Sequence, residues 1–212
     1  MAMGDKLRFS LVLSIIAAVC VAGLCGVYHA VAERREQARQ QKILEAVTYA
    51  CGPLGCVKLV VGDPVSFSYQ GRRLEYYPVY DEPEEGDREL KAYASLGEGK
   101  GYGGRVTVMV GWRPDLSEMV SIKVVEQTET PGLGSRVNEV RSEMTLWKAM
   151  AGQKEEPKTP WFQQQFGDTV KTLADMESDK FDGISGATIT SNAVKAAIRD
   201  SHDRLKAALG RK

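Results

Sequence analysis

Asp182-Gly183-Ile184-Ser185-Gly186-Ala187-Thr188-Ile189-Thr190-Ser191 is the stretch on which the reading of this chain turns. Gly186 and Ala187 lie between two hydroxyl residues, Ser185 and Thr188, and an acid, Asp182, stands ahead of them. Ser191-Asn192 then reads as a helix start. Val194, Ile198, Leu205 and Leu209 recur at helical spacing until Gly210 supplies a stop. The string is therefore an open, hydroxyl-bearing loop feeding a helix N-terminus. Unpaired N–H groups and the helix dipole make such a place receptive to a phosphate. A plain turn followed by an N-cap accounts for the same residues.

Upstream, Arg105 to Val110 alternates, with Val106, Val108 and Val110 on one face. Trp112-Arg-Pro-Asp115 turns the chain and Met119 to Val125 returns it, which predicts a β-hairpin. Before it, Gly97 to Gly104 packs five glycines into eight residues. That run lacks a Gly-Lys-Ser/Thr ending, and a strand follows it rather than a helix, so a nucleoside-triphosphate loop is excluded. The glycines predict close backbone approach or positive φ at a sheet edge. After the hairpin comes Glu126-Gln-Thr-Glu-Thr-Pro-Gly-Leu-Gly134, where Pro131 and the glycines fix a non-helical loop. Such a loop can wrap a planar ring, backbone groups meeting its polar edge and Leu133 its face. An ordinary turn is the plainer reading. A helix is expected from Val137 to Met150 on Val137, Val140, Met144 and Trp147, ended by Gly152 and Pro157. Trp161, Phe162 and Phe166 read first as core, with a stacking surface as the alternative.

At the other end, Phe9 to Ala32 holds no Asp, Glu, Lys or Arg. As a helix it is roughly 36 Å long, enough to span a bilayer with tilt and long for a cleaved signal peptide. Two basic residues precede it and four (Arg34, Arg35, Arg39, Lys42) follow closely, a count that leans towards a cytoplasmic C-terminal domain. Arg34 to Val47 continues as a charged helix. Cys51-Gly-Pro-Leu-Gly-Cys56 follows, a tight turn that predicts a disulfide if the domain lies outside the cytoplasm, with two free thiols as the alternative. Short strands are expected at 57–61, 65–69, 74–80 and 91–96. The 28 basic and 28 acidic residues cancel, leaving no surplus to hold nucleic acid. Once the anchor is set aside, the rest is long enough for one domain with its own core.

Asp182-Gly-Ile-Ser-Gly-Ala-Thr188 resembles the acceptor motif of covalently flavinylated membrane proteins. Glu129-Thr-Pro-Gly-Leu-Gly134 resembles the second signature of the FMN-binding domain found in the G component of the Rnf electron-transport complex and in the C component of the sodium-pumping quinone reductase. Gly99 to Gly104 is similar to that family's glycine-rich approach, and the order of segments matches along nearly the whole chain. The resemblance implies an α+β fold: residues 1–8 a tail, 9–32 a transmembrane anchor, 33–56 a membrane-proximal helix and Cys-containing turn, and 57–212 an FMN-binding domain with an antiparallel sheet and packed helices. It implies FMN esterified through its phosphate to Thr188, with Thr190 and Ser185 as rival acceptors. Ser185, Gly186, Ala187, Asp182, Glu129, Thr130, Gly132 and Leu133 are the implied cofactor contacts, with no metal. The implied partners are the other membrane subunits of an Rnf-type complex, a flavin transferase during maturation, and membrane lipid. The implied site is the bacterial inner membrane, with the domain extracytoplasmic, against the charge count. The implied role is electron relay in a complex that couples ferredoxin/NAD chemistry to ion movement. A stand-alone membrane-tethered flavoprotein and a non-redox binding module are the alternatives.

Overall fold

The computed structural model describes residues 3–83, 86–140 and 160–211. The chain divides into two units, Met1–Lys42 and Ile43–Lys212. Helix α1 (Met3–Cys51) makes up the first and ends in the second. Within the first unit Leu11, Ile15, Ile16, Val19, Leu24 and Val27 are all exposed. An uninterrupted apolar surface of this kind requires a lipid or protein environment. Among the described residues α1 is the one helix long and apolar enough to cross a membrane.

The second unit is built on an antiparallel sheet: β1 (Leu59–Val61), β2 (Val65–Tyr69), β3 (Arg72–Asp81), β4 (Glu89–Lys100), β5 (Arg105–Trp112) and β6 (Met119–Glu126). The order is β1-β3-β4-β5-β6, and β1 and β2 share one edge of β3. The strands alternate as the sequence predicts. Val106, Val108, Val110, Trp112, Ile122 and Val124 face one core. Tyr77, Val79, Ala92, Ala94, Met109 and Val120 face the other. The end of α1 covers this second face through Ala46, Val47, Ala50 and Cys51. The disulfide expected there is not formed. Both thiols are free; Cys51 is buried, its sulfur 3.1 Å from where a β-carbon on Gly111 would lie, and Cys56 is half-buried. Burial, with the neighbouring Cys56, pushes the Cys51 thiol up to about 12.

The first face is covered by α3 (Thr188–Ala208), with the short helix α2 (Trp161–Gln164) beside it. The strand–helix seam is made of small residues. A β-carbon on Gly97 would overlap the Ala197 carbonyl, and one on Gly99 the Ala193 carbonyl. Ser95 and Ser201 close the row with hydroxyls 2.7 Å apart, and Trp112 Nε1 donates to the Ser201 oxygen at 3.1 Å. Positions 95, 97 and 99 lie on one face of a strand, and 193, 197 and 201 on one face of a helix. A two-residue strand repeat of about 6.8 Å is near one helical turn, so the rows stay in step. These glycines are thus inside β4, which runs to Lys100, beyond the expected end at Leu96.

One further expectation changes. Val137 lies in a 3-10 turn, Gly134–Asn138, and Glu139 is extended, so no α-helix begins there. Met144, Trp147, Gly152 and Pro157 lie outside the described residues. Phe162 and Phe166 are core, packed edge-on with each other and against Phe181.

Candidate functional site

Helix α3 begins at Thr188, three residues before Ser191-Asn192, with Ala187 in the cap position and no side-chain cap. Ser191 does something else. Its hydroxyl accepts the Ile184 N–H at 2.9 Å and donates to the Ala187 carbonyl at 3.2 Å. That clasp draws the loop over the first turn. Ile184 and Ala187 point inward and are buried, while Ser185, Gly186 and Thr188 are exposed. Gly186 has φ +77°, a conformation a side chain would strain. The first helical amides have no intrahelical partner by geometry. The first bond of the ladder runs from Ser191 N–H to the Ala187 carbonyl.

Thr190 faces the opposite way. It is 1% exposed and its hydroxyl donates to Glu129 Oε2 at 2.5 Å. The other oxygen, Oε1, accepts the Gly103 N–H at 3.1 Å. Glu129 is itself 7% exposed, so this carboxylate joins the glycine-rich hairpin, its own loop and the start of α3. Gly134 closes the junction: a β-carbon there would overlap the Thr190 hydroxyl and press on the Glu129 carboxylate. The intervening Thr130-Pro131-Gly132-Leu133 is a tight turn, with Leu133 N–H donating to the Thr130 carbonyl at 3.2 Å and Gly132 at φ +79°. Pro at the second position and Gly at the third are what a type II turn requires. Thr130 and Gly132 are exposed at its tip. Leu133 is half-exposed, 3.9 Å from the position of a β-carbon on Gly186. The two sequence signatures therefore touch.

Asp182 is exposed, and its backbone is held rather than its carboxylate. Gln165 accepts the Asp182 N–H at 2.8 Å and donates to the Asp182 carbonyl at 3.0 Å. Gln163, fully buried, accepts the Val124 N–H at 3.2 Å and donates to the Val137 carbonyl and Asn138 Oδ1, each at 2.8 Å. One glutamine fixes the entry to the loop before α3. The other ties the segment after Gly134 to edge strand β6. Sequence reasoning misses both, because a Gln run beside aromatics carries no signal of burial. Ahead of the loop, Asp175 receives Lys180 Nζ at 2.5 Å and the Thr172 and Lys171 amides. The Lys180 contact first, then the Thr172 bonds, hold its carboxyl well below the usual carboxylate range.

The residues fit a phosphate-tethered group. An exposed hydroxyl sits at an uncapped helix start, beside a loop glycine whose near neighbour is the half-exposed Leu133 side chain. No group of three potential metal ligands occurs among the described residues. Residues 101–203 match the FMN-binding domain family. The chain is 25% identical to the G component of the proton-translocating ferredoxin:NAD(+) oxidoreductase complex of Clostridium ljungdahlii, over 80% of this chain and 86% of that protein. It is 26% identical to the G component of the ion-translocating oxidoreductase complex of Pasteurella multocida, over 91% of this chain and 90% of that protein. The corresponding protein of Methanosarcina acetivorans is 30% identical over 52% of this chain and 49% of its own. Residues 101–203 are thus similar to the FMN-binding domain family, and most of the chain is similar to the G components of ion-translocating oxidoreductase complexes.

Proposed function

We propose that this chain is the membrane-anchored flavoprotein component of an ion-translocating oxidoreductase complex, carrying FMN in phosphoester linkage to Thr188. The observation that carries the linkage is the opposed placement of the two threonines: Thr188 is exposed, whereas Thr190 is buried against Glu129. The helix start offers N–H groups to a phosphate on Thr188. Ser185, also exposed, precedes the helix and lacks that setting.

In maturation, Thr188 Oγ1 attacks the FMN-side phosphorus of FAD on a flavin transferase. The oxygen–phosphorus bond forms as the pyrophosphate bond breaks, AMP leaves, and the hydroxyl proton passes to a base on the transferase. A threonine hydroxyl needs such a base, and neither histidine, His29 or His202, lies near it in sequence. The bound flavin supplies one- and two-electron redox chemistry. The chain would hold it at Thr188, with Leu133 and the exposed Thr130–Leu133 turn available to border it. Electron donors and acceptors then belong to the other membrane subunits, which fits the names of the relatives. We place the domain on the extracytoplasmic face of the bacterial inner membrane, with α1 as its lipid-embedded anchor, and assign residues 57–212 to the flavin domain.

The test is ultraviolet fluorescence of the denatured chain in a gel, wild type beside Thr188→Ala. Both are co-expressed with a flavin transferase in a host that exports the domain. A fluorescent wild-type band absent from the variant supports the proposal. A dark wild-type band in exported protein removes the covalent flavin and returns the motif to a turn before a helix. A fluorescent variant moves the linkage to Ser185 or Thr190.

A further inference from the structure

We infer that Glu129 is a positioning residue for cofactor loading: through Thr190 it holds the start of the acceptor helix so that Thr188 faces out, and it does not itself bind the flavin. The inference rests on the reading of Thr188 as the acceptor, but its first consequence can be measured on the unloaded chain.

Helix α3 has no side-chain cap, so its first turn lacks the usual anchor. Two ties replace the cap. One is the Ser191 clasp on Ile184 and Ala187. The other is the Thr190 hydroxyl donating to Glu129 Oε2. Residues two apart on a helix are about 200° apart around its axis, so pinning Thr190 inward turns Thr188 outward. Glu129 can act as that pin because its second oxygen is fixed by the Gly103 N–H of the β4–β5 hairpin. The hairpin is closely seated, since a β-carbon on Gly101 would overlap Glu129 Oε1. Both carboxylate oxygens are thus engaged by protein donors, and the group is buried. A hydrogen bond to a charged, buried acceptor is among the stronger kinds, and losing its donor leaves that oxygen unpaired. Nothing in this arrangement needs the flavin. The sheet sets the helix start before the transferase arrives.

The experiment uses the full chain, produced without a transferase and purified in detergent. The variants are Thr190→Val, which keeps shape and removes the donor, Thr190→Ser, which keeps the donor, Glu129→Ala, and the double variant Glu129→Ala/Thr190→Val. Exchange of the hydrogen-bonded amides of Ile184, Ala187 and Ser191 is measured first. It is expected to speed up at least ten-fold in Thr190→Val and Glu129→Ala, with β4 and β5 amides unchanged, and to return close to wild type in Thr190→Ser. The time course of covalent fluorescence after adding transferase and FAD is measured second. Thr190→Val is expected to load at least ten-fold more slowly, Thr190→Ser to recover most of the rate, and the double variant to be no slower than the slower single. A Thr190→Val chain that exchanges and loads like wild type overturns the inference, as does a double variant whose losses multiply. If Glu129→Ala fails to fold, the Val/Ser pair at 190 decides. A wild-type chain that never loads overturns the Thr188 reading, and the exchange measurement still decides whether Glu129 holds the helix start.

Discussion

The carbonyl oxygen of Ala197 occupies the space that a β-carbon on Gly97 would need. One turn away, the Ala193 carbonyl does the same to Gly99. This seam sets the distance between α3 and the sheet, and with it the height at which the 182–187 loop leaves the fold. Neither carbonyl can retreat without breaking the helix ladder or moving the whole helix. Gly97→Ala is therefore expected to destabilise by about 3 kcal/mol, the upper end for overpacking, and to lower the thermal midpoint of the detergent-solubilised chain by about 10 °C. A midpoint within about 2 °C of wild type would show that the helix can slide.

The Gln163 amide serves the Val124 N–H, the Val137 carbonyl and Asn138 Oδ1 from a fully buried position. Gln163→Leu comes close in volume and strands these groups. Val124 and Val137 are buried and Asn138 is exposed, and each orphaned buried group costs about 1–3 kcal/mol, so a loss of about 2–6 kcal/mol is expected in a denaturant melt. Under the proposed Thr188 linkage, slower loading should accompany it, because Val137 and Asn138 anchor the turn that follows Gly134.

Asp175 gives a pH dependence with a definite sign. Its carboxyl is held below its ordinary value of 3.8 by Lys180 and the Thr172 bonds. A depressed carboxylate contributes stability that is fully present above its unfolded value and is lost as pH falls through the folded one. Asp175→Asn should therefore lower the thermal midpoint at pH 7, and the gap from wild type should narrow as pH drops below about 4. A gap that is constant from pH 7 to pH 3 would assign the effect to shape alone.

Some of this is plain in the sequence and the rest is hidden, for physical reasons. Strand alternation exposes Val106, Val108 and Val110 to any period-two reading, and Pro131-Gly132 announces its turn. Thr188 and Gly186 are legible because an open loop needs small and hydroxyl residues in order. The start of α3 is not, because Ser191-Asn192 carries capping chemistry while the real cap position holds Ala187. The hydroxyl of Ser191 is spent on a loop clasp, a tertiary use that local propensity cannot show. Likewise nothing local pairs Thr190 with Glu129, or the β4 glycines with alanines of α3. Such contacts depend on how the helix lies over the sheet, which one chain of letters does not state.

Cys51 tests the second core. Its thiol is buried, and burial pushes it up to about 12 from an ordinary 9.0. At pH 8 the thiolate is then about a thousand-fold scarcer than in the unfolded chain, so alkylation of Cys51 should be slower by at least that factor in the native protein. Cys56, half-buried, should label much sooner. The sign of the linkage is opposite to that of Asp175: the raised thiol contributes stability present below about pH 9 and lost as pH rises towards 12. Peptide mapping after timed alkylation reads the rates. Rapid labelling of Cys51, or a Cys51–Cys56 disulfide in freshly prepared protein, would contradict the buried thiol.

The end of α1 belongs to the folded unit as much as any strand does. Ala46, Val47, Ala50 and Cys51 are buried against Tyr77, Val79, Ala92, Ala94 and Met109, and the compact unit opens at Ile43. A chain beginning at Lys42 retains that cover and sheds the apolar stretch. A chain beginning at Val57 loses it and leaves one face of the sheet bare. Burial of Val47 alone contributes about 1.5–3 kcal/mol, and the whole set is a large share of a stability of order 5–15 kcal/mol. Residues 42–212 are thus expected to be soluble without detergent, monodisperse and cooperative in thermal unfolding. Residues 57–212 are expected to aggregate or to melt without a cooperative transition. Size-exclusion chromatography and a melt on each distinguish them. A well-behaved 57–212 chain would show that the second core holds without its helix and that the helix end is only a tether.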